Sequence, residues 1–232
     1  MIGIYDDTVI LTYLSMVSGA TGIIISMTGI GHPYLGILFL MISGLLDAFD
    51  GKVARSKKNR TDFEKNFGVQ IDSLSDLICF GVLPAAIGMA QLRISGRFTE
   101  VSKMPKIFTG DRIWVIVSMI VIAVFYILTA LIRLAYFNVT GEERKEEALK
   151  TGVECFTGLP VTSAALVFPV AMILHWFVKY DLTYIYFAVM FLLGILFIGN
   201  FKIPKPNKAG LIIMIVLGLI EFSLTIFILS KA

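Results

Sequence analysis

The sequence predicts an all-α membrane protein, a polytopic bundle of about seven transmembrane helices with six to eight compatible with the pattern. Hydrophobic residues make up 57% of the 232 residues and charged residues only 16%, unlike the composition of ordinary soluble domains. A helix of about 20 apolar residues spans the hydrocarbon layer of a bilayer. Only short segments separate such stretches here, so residues 1–232 are expected to form one domain. The predicted spans are 8–30, 33–54, 67–91, 113–137, 158–178, 182–200 and 209–230.

Local signals delimit several of these spans. Asp6 and Asp7 precede the first span without a basic region or a small-residue cleavage site, so it is expected to be a retained helix rather than a signal peptide. Residues 55–67 form a polar, basic connection expected to contact anionic head groups of membrane lipids. Residues 139–152 are charge-rich and predict a solvated surface helix or loop. Pro160 opens the fifth span.

Basic residues are distributed unequally between the two sides of the predicted bundle, with 12 on one side and seven on the other. The positive-inside rule places the side with 12 in the cytoplasm, together with the N-terminus. Nucleic-acid binding is not expected, because the charges flank apolar spans and no recognition motif accompanies them. The 12 residues are Lys52, Arg55, Lys57, Lys58, Arg60, Lys65, Arg144, Lys145, Lys150, Lys202, Lys205 and Lys208.

Four aspartates lie within or at the ends of the second and third spans. A carboxylate at membrane depth costs about 2.5–3.5 kcal/mol on insertion scales, so four of them require compensation. Successive helical residues are about 100° apart, and this spacing places two sets of polar or small residues on one face of each helix. If the two faces meet, they form one oxygen-rich pocket suited to hard divalent cations. The sets are Asp47, Asp50, Gly51 and Ala54, and then Gly68, Asp72 and Asp76.

The small residues and a nearby arginine indicate a phosphorylated ligand as well. Gly51 and Ala54 leave room for a ligand to approach the helix backbone, and Arg55 lies one turn beyond Gly51. A guanidinium group binds phosphate oxygens through two parallel hydrogen bonds. Two metal ions close together could clamp a pyrophosphate and stabilise displacement at phosphorus. The alternative for any one aspartate is a structural hydrogen-bonding role, but four at helical spacing favour a functional site.

The pattern Asp-x-x-Asp-Gly-x-x-Ala-Arg, followed by Gly-x-x-x-Asp-x-x-x-Asp, resembles the signature of CDP-alcohol phosphotransferases, and all eight signature residues are present. The resemblance implies a six-helix membrane core, usually a homodimer, that displaces CMP from a CDP-linked substrate with an alcohol. It also implies two divalent cations, Mg²⁺ or Mn²⁺, with Asp76 as general base. The implied metal ligands are Asp47, Asp50, Asp72 and Asp76, and the implied contacts to CDP are Gly51, Ala54 and Arg55.

The chain departs from this signature at two places. Twelve residues separate Arg55 from Gly68, where the signature usually has eight. Four extra residues amount to about one helical turn or a longer loop. Thr8-Val9 stands before the first span, where the family usually has Pro-Asn.

Three further segments resemble integral-membrane phosphatidylserine synthases. This resemblance implies a phosphatidyl donor, CDP-diacylglycerol or a CDP-archaeol-type lipid, with L-serine as the acceptor. Arg133 and Asn138, at the end of the fourth span, are expected to bind phosphate or the serine carboxylate, and the alternative for Arg133 is snorkelling to the interface. The segments are Asp72–Asp76 continuing through Cys79–Val82 to Pro84-Ala85, then Arg133–Asn138, and Phe156–Pro160.

Other functions remain open at this point. The acceptor could be glycerol 3-phosphate, inositol or inositol phosphate, although a phosphorylated alcohol should require additional Arg or Lys near the fourth and fifth spans. A cation transporter would also use intramembrane acids, but it should place them at mid-membrane on discontinuous helices. Here the acids lie toward one face beside an arginine, which favours phosphate chemistry. A purely structural role in the membrane is the least consistent with this pattern of aspartates.

Overall fold

The computed structural model describes residues 2–29, 33–57, 59–95, 111–152, 155–178, 181, 183–204 and 208–231. It confirms the predicted all-α membrane bundle. The helices are α1 (Ile10–Thr28), α2 (Pro33–Ser56), α3 (Asp62–Asp76), α4 (Leu83–Ile94), α5 (Asp111–Val139), α6 (Gly141–Thr151), α7 (Ala164–Val178), α8 (Thr183–Ile198) and α9 (Lys208–Leu229).

Five of the seven predicted spans correspond to helical stretches long and apolar enough to cross a membrane. The sixth and seventh predicted spans correspond to α8 and α9, whose described apolar parts are shorter. With 16 residues, α8 is about 24 Å long, less than the ~30 Å of the hydrocarbon core. Seven crossings therefore stay a prediction. The five stretches are Ile10–Thr28, Pro33–Ala54, Asp62–Ile94, Ile113–Val139 and Val161–Val178.

The third span is one continuous helical segment that starts earlier than predicted, at Asp62 rather than at residue 67. Its start is fixed by a capping box at Thr61. The Glu64 backbone N–H donates to the Thr61 hydroxyl oxygen (3.2 Å), and the Thr61 backbone N–H donates to the Glu64 carboxylate (2.6 Å). These bonds satisfy two backbone donors at the helix start, so the polar residues ahead of the apolar stretch are helical too.

A π-helical turn, Leu77–Val82, joins α3 to α4 directly after Asp76. Pro84 has no backbone N–H, so the Phe80 carbonyl lacks the donor that a continuous α-helix would supply. The Tyr126 hydroxyl of α5 donates to that carbonyl instead, at 2.6 Å. Turns of this kind are frequent at functional sites, and this one anchors the end of the aspartate helix to the bundle core.

The start of α1 packs closely against α2 and the π-helical turn. Ser15 and Ser43 donate to each other's backbone carbonyl oxygens at 3.2 and 3.1 Å, so the two helix backbones lie close together. A Cβ on Gly19 would lie 2.5 Å from the Cys79 sulfur, which leaves room only for glycine. Small residues allow such approach between membrane helices, and here the approach holds three helices around the aspartates.

A two-stranded antiparallel sheet was not predicted. Strand β1 (Cys155–Thr157) pairs with β2 (Lys202–Pro204), with Phe156 opposite Ile203. Strands this short give no readable alternation of side chains, and their partner is distant in sequence.

The fifth span begins at Val161, three residues after the predicted boundary at 158 and directly after Pro160, which was predicted to open it. Gly158 has a φ of +71°, and a Cβ there would lie 2.7 Å from the Phe197 carbonyl oxygen. The Gly158 backbone N–H donates to the Phe201 carbonyl oxygen at 2.8 Å. Gly158 therefore turns the chain against the end of α8. Helical structure begins only after Pro160, with a 3₁₀ turn at Val161–Ser163 that leads into α7. The charge-rich segment 139–152 does form a surface helix, α6, as one of the two predicted forms.

We expect Tyr126→Phe to destabilise the protein by roughly 1–3 kcal/mol, because the buried Phe80 carbonyl would lose a hydrogen-bond partner. The thermal unfolding midpoint in detergent measures this change. Tyr136→Phe is the matched control, since Tyr136 lies exposed on the same helix and should unfold like the parent protein. An unchanged midpoint for Tyr126→Phe would contradict the role assigned to this bond.

Candidate active site

The structure brings the aspartates of α2 and α3 together. Asp47, Asp50 and Asp72 each offer a carboxylate oxygen, and these oxygens all lie within 4.8 Å of one another. Asp76, one helical turn beyond Asp72, is in direct side-chain contact with Asp47. The two helix faces predicted from the spacing therefore meet: three of the four carboxylates form one cluster, and Asp76 adjoins it through Asp47.

The donor set fits a hard divalent cation. Oxygens bound to the same Mg²⁺ or Ca²⁺ at 2.0–2.6 Å are separated from one another by at most about 4–5 Å. The three oxygens of Asp47, Asp50 and Asp72 lie within 4.8 Å of one another, which meets the upper end of this range and requires only side-chain adjustment for the smaller Mg²⁺. Carboxylates are the ligands that such ions prefer. The cluster could therefore hold a metal ion without rearrangement of either helix.

Helix α1 supports the cluster from one side. The Thr12 hydroxyl donates to the Asp50 carboxylate at 2.9 Å, which fixes the orientation of that carboxylate. The Ser75 hydroxyl donates to the Thr12 backbone carbonyl at 3.3 Å, so α3 is tied to the same turn of α1. Hydrogen bonds from neighbouring groups hold metal-binding carboxylates in position, and Thr12 has that geometry relative to Asp50.

A polar cavity of about 150 Å³ opens beside Asp50 and Asp72. Gly51 and Ala54 line it and leave the space that was predicted from their size, and Gly68 lines it too. Thr8-Val9, the segment that departs from the family pattern, lines the same cavity. The remaining lining residues are Thr12, Arg60, Lys65 and Val69.

The longer connection between α2 and α3 contributes to this cavity and is held to the N-terminal segment. The Lys57 ammonium group bonds to Asp6 at 2.7 Å and to Glu64 at 2.6 Å. The bond from Lys57, aided by one from the Thr8 hydroxyl, lowers the pKa of Asp6 to about 2. Asp6 is therefore ionised at neutral pH and loses its charge only in strong acid. The side chain of Arg55, a predicted contact to CDP, lies outside the described part of the chain.

An apolar groove of about 220 Å³ lies between α2, α7 and α9. Asp47 of the carboxylate cluster lines this groove. The groove therefore reaches the cluster from the apolar outer side of the bundle. Its other lining residues include Met41, Gly44, Leu45, Ala48, Leu166 and Gly218. A ligand with a phosphorylated head and apolar chains would match the two environments.

The two predicted residues of α5 take different positions. Asn138 donates to the Ser73 hydroxyl at 2.9 Å, which ties the end of α5 to α3 beside Asp72. Arg133 is only 5% exposed, and its Nε–H donates to the Leu159 carbonyl at 3.3 Å. Its guanidinium also lies 5.3 Å from the centre of the Phe137 ring. The Arg133 side chain is therefore buried within the bundle, and neither residue lines the polar cavity.

Sequence reasoning missed Thr12, Arg60 and Lys65. The four-residue spacing of Thr8 and Thr12 places both on one face of a helix, and this was the available signal for Thr12. Arg60 and Lys65 gave no such signal, because their positions depend on the path of the connection between α2 and α3.

Several curated proteins are similar to this chain, and they carry two names. A Helicobacter pylori protein named CDP-diacylglycerol–serine O-phosphatidyltransferase is 28% identical over 181 residues, which are 76% of this chain and 64% of that protein. The Saccharomyces cerevisiae protein of the same name is 33% identical over 168 residues, 68% of this chain and 52% of the yeast protein. An archaetidylserine synthase from Methanothermobacter thermautotrophicus is 27% identical over 201 residues, 87% of this chain and 70% of that synthase.

The chain thus spans about two thirds or less of the length of the two serine phosphatidyltransferases. The family model of CDP-alcohol phosphatidyltransferases matches residues 8–220, which include every residue of the carboxylate cluster and nearly all of the helical bundle. This chain therefore belongs to the CDP-alcohol phosphatidyltransferase family.

Proposed function

We propose that this protein transfers a phosphatidyl group, or its ether-lipid equivalent, from a CDP-linked lipid to the hydroxyl of L-serine and releases CMP. The observation that carries the proposal is the cluster of Asp47, Asp50 and Asp72 at the junction of a polar cavity and an apolar groove. The names of the similar proteins support serine as acceptor, and they include both a diacylglycerol and an archaeal lipid version.

The two cavities match the two halves of such a donor. The diphosphate would lie beside Asp50 and Asp72, where Gly51 and Ala54 leave space against the helix backbone. The lipid chains would follow the apolar groove from Asp47 toward α7 and α9. This arrangement would hold the lipid-bearing phosphorus at the carboxylate cluster, because both halves of the donor converge there.

In the proposed reaction, the serine hydroxyl oxygen attacks the phosphorus that carries the lipid. A new P–O bond forms to serine, and the bond from that phosphorus to the oxygen of CMP breaks. The carboxylate of Asp76 accepts the hydroxyl proton, as a positioned general base. Mg²⁺ or Mn²⁺, bound by Asp47, Asp50, Asp72 and Asp76 as two ions, would offset the negative charge on the phosphate oxygens.

Other residues would position the reacting groups. Thr12 holds the Asp50 carboxylate in place through its hydroxyl. We propose that Asn138 and Arg133 contribute to the acceptor side, since Asn138 is bonded to Ser73 next to Asp72. A cationic guanidinium and an amide would suit the carboxylate of serine. Gly51, Ala54 and Arg55 are assigned to the CDP moiety.

The orientation and assembly belong to the proposal as well. The excess of basic residues around the α2–α3 connection favours an active site that faces the cytoplasm. CMP would then be released into the compartment that supplies serine. We also propose a homodimer, on the basis of the family resemblance.

The acceptor is tested with purified protein, CDP-diacylglycerol in mixed micelles, Mg²⁺ or Mn²⁺, and a panel of alcohols. We expect CMP release with L-serine and none above background with glycerol 3-phosphate, inositol or inositol phosphate. Chelation with EDTA should abolish release, and added Mg²⁺ or Mn²⁺ should restore it. CMP release with glycerol 3-phosphate but not serine would overturn the choice of acceptor. Cation flux through the protein in liposomes, with no CMP release in the presence of any alcohol, would overturn the assignment of the protein as an enzyme.

Asp76→Asn should lower the turnover number on the order of 10²–10⁴-fold, the usual contribution of a general base. Binding of the CDP-linked lipid, measured by calorimetry, should change little, because the amide keeps the size of the carboxylate. The control is Glu143→Gln on α6, which removes an exposed carboxylate away from the cavity, and it should keep normal turnover. Loss of lipid binding in Asp76→Asn would instead assign Asp76 mainly to metal binding.

A further inference from the structure

Arg60 is a cation at the polar cavity that lies outside the signature pattern. It lies in the connection between α2 and α3, the stretch that is four residues longer than the signature spacing. Its side chain lines the same cavity as Asp50, Gly51 and Asp72. The connection therefore places an arginine side chain in the same cavity as two of the carboxylates.

The guanidinium is held in place by backbone carbonyls rather than by an acid. Its Nη2 donates to the Glu64 carbonyl at 3.1 Å and its Nη1 to the Ala54 carbonyl at 3.5 Å. Its Nε–H is buried and has no hydrogen-bond partner among the described residues. A buried N–H without a partner is costly, so this group favours a ligand that brings acceptor oxygens.

Lys65, the other cation that lines the cavity, differs from Arg60 because it is paired with an acid. Its ammonium group bonds to the Asp62 carboxylate at 3.0 Å, and its side chain is 57% exposed. The charge of Lys65 is therefore matched by an acid at the surface. Within the described part of the chain, Arg60 bonds to no carboxylate, so its charge is available to an anion in the cavity.

Gly68 provides the space in which the Arg60 guanidinium lies. A Cβ on Gly68 would be 2.7 Å from Nη2 of Arg60, closer than two such atoms can approach. An alanine at this position would push the guanidinium away from the cavity wall. In this chain, Gly68 therefore also determines where Arg60 can sit.

We propose that Arg60 binds the diphosphate of the CDP-linked lipid, opposite the carboxylate cluster. The inference rests on the proposed function. It gives a cation in the longer α2–α3 connection a role in binding the donor lipid. A diphosphate in this cavity would face the guanidinium on one side and, on the other, the divalent cations that the carboxylates would hold. The fixed carbonyl contacts hold the planar donor group before the ligand arrives, which lowers the entropic cost of binding.

Capping of the end of α2 is the competing explanation, because Arg60 bonds to the Ala54 carbonyl there. A capping role predicts a lower unfolding midpoint and no selective effect on one substrate. A binding role predicts a higher KM for the lipid and weaker binding of CDP, with the KM for serine unchanged.

The test compares Arg60→Gln with the parent enzyme in CDP-diacylglycerol micelles with Mg²⁺ and serine. We expect the KM for the lipid to rise roughly 10- to 100-fold, the contribution of a charge-assisted hydrogen bond. Calorimetry with CDP should show a similar loss of affinity, whereas binding of cytidine, which has no phosphate, should not change. Lys150→Gln removes an exposed cation from α6 and should behave like the parent protein.

Gly68→Ala provides a second measure. It should also raise the KM for the lipid, but it should add little in the Arg60→Gln background if it acts by displacing the guanidinium. An unchanged KM and unchanged CDP affinity in Arg60→Gln would overturn the proposal. If Arg60→Gln does not fold, Arg60→Lys decides, since it keeps the charge without the planar fork. A raised lipid KM in Arg60→Lys at a normal unfolding midpoint supports binding by the planar guanidinium, and an unchanged lipid KM in both Arg60→Lys and Gly68→Ala overturns it.

CDP binding separates this inference from the proposed function. If the parent protein releases no CMP with any alcohol, the proposed reaction fails. Loss of CDP affinity in Arg60→Gln would still support the diphosphate contact. If the parent protein turns over with serine and Arg60→Gln does so with unchanged KM values, only the role of Arg60 fails.

Discussion

The close approach of α1, α2 and α3 is the constraint on which the rest of the molecule depends, because it concentrates four carboxylates in an apolar bundle. The reciprocal bonds of Ser15 and Ser43 join α1 to α2, and the Ser75 bond to Thr12 joins α3 to α1. The contact of Gly19 with Cys79 brings α1 against the π-helical turn that continues α3. That proximity lets Thr12 reach Asp50 and lets the carboxylate oxygens meet within 4.8 Å. Separated in the hydrocarbon, each acid would be destabilising. Gathered together, they form a ligand set for a divalent cation, and the cost of their burial is offset when such an ion binds.

Helical periodicity made the carboxylate cluster predictable. Asp47 and Asp50, and likewise Asp72 and Asp76, follow a spacing that fixes their face on any helix, so their meeting needed only that α2 and α3 be neighbours. The same argument located Gly51 and Ala54 at the cavity. Features that depend on non-local contacts were not predictable in this way. The β1–β2 pair, the turn at Gly158 and the π-helical turn satisfied by Tyr126 each depend on a partner far away in sequence.

The connection between α2 and α3 shows the same limit at the site itself. Its four additional residues were visible in the sequence, but their effect was not, because a loop has no periodicity from which to place a side chain. In the structure, Lys57 fastens the connection to Asp6 and Glu64, and Arg60 lines the cavity above Gly68. The connection that is longer than the signature spacing thus adds a cation, Arg60, to the lining of the cavity. Thr8-Val9, the other departure, lines the same cavity.

We propose that the aspartates of α2 and α3 form one metal centre at the junction of a polar cavity and an apolar groove. Crystals grown with Mn²⁺ and measured at the manganese absorption edge test it most directly. We predict anomalous density within about 2.0–2.6 Å of carboxylate oxygens from Asp47, Asp50 and Asp72. Ordered carboxylates without anomalous density between them, at saturating Mn²⁺, would contradict the claim.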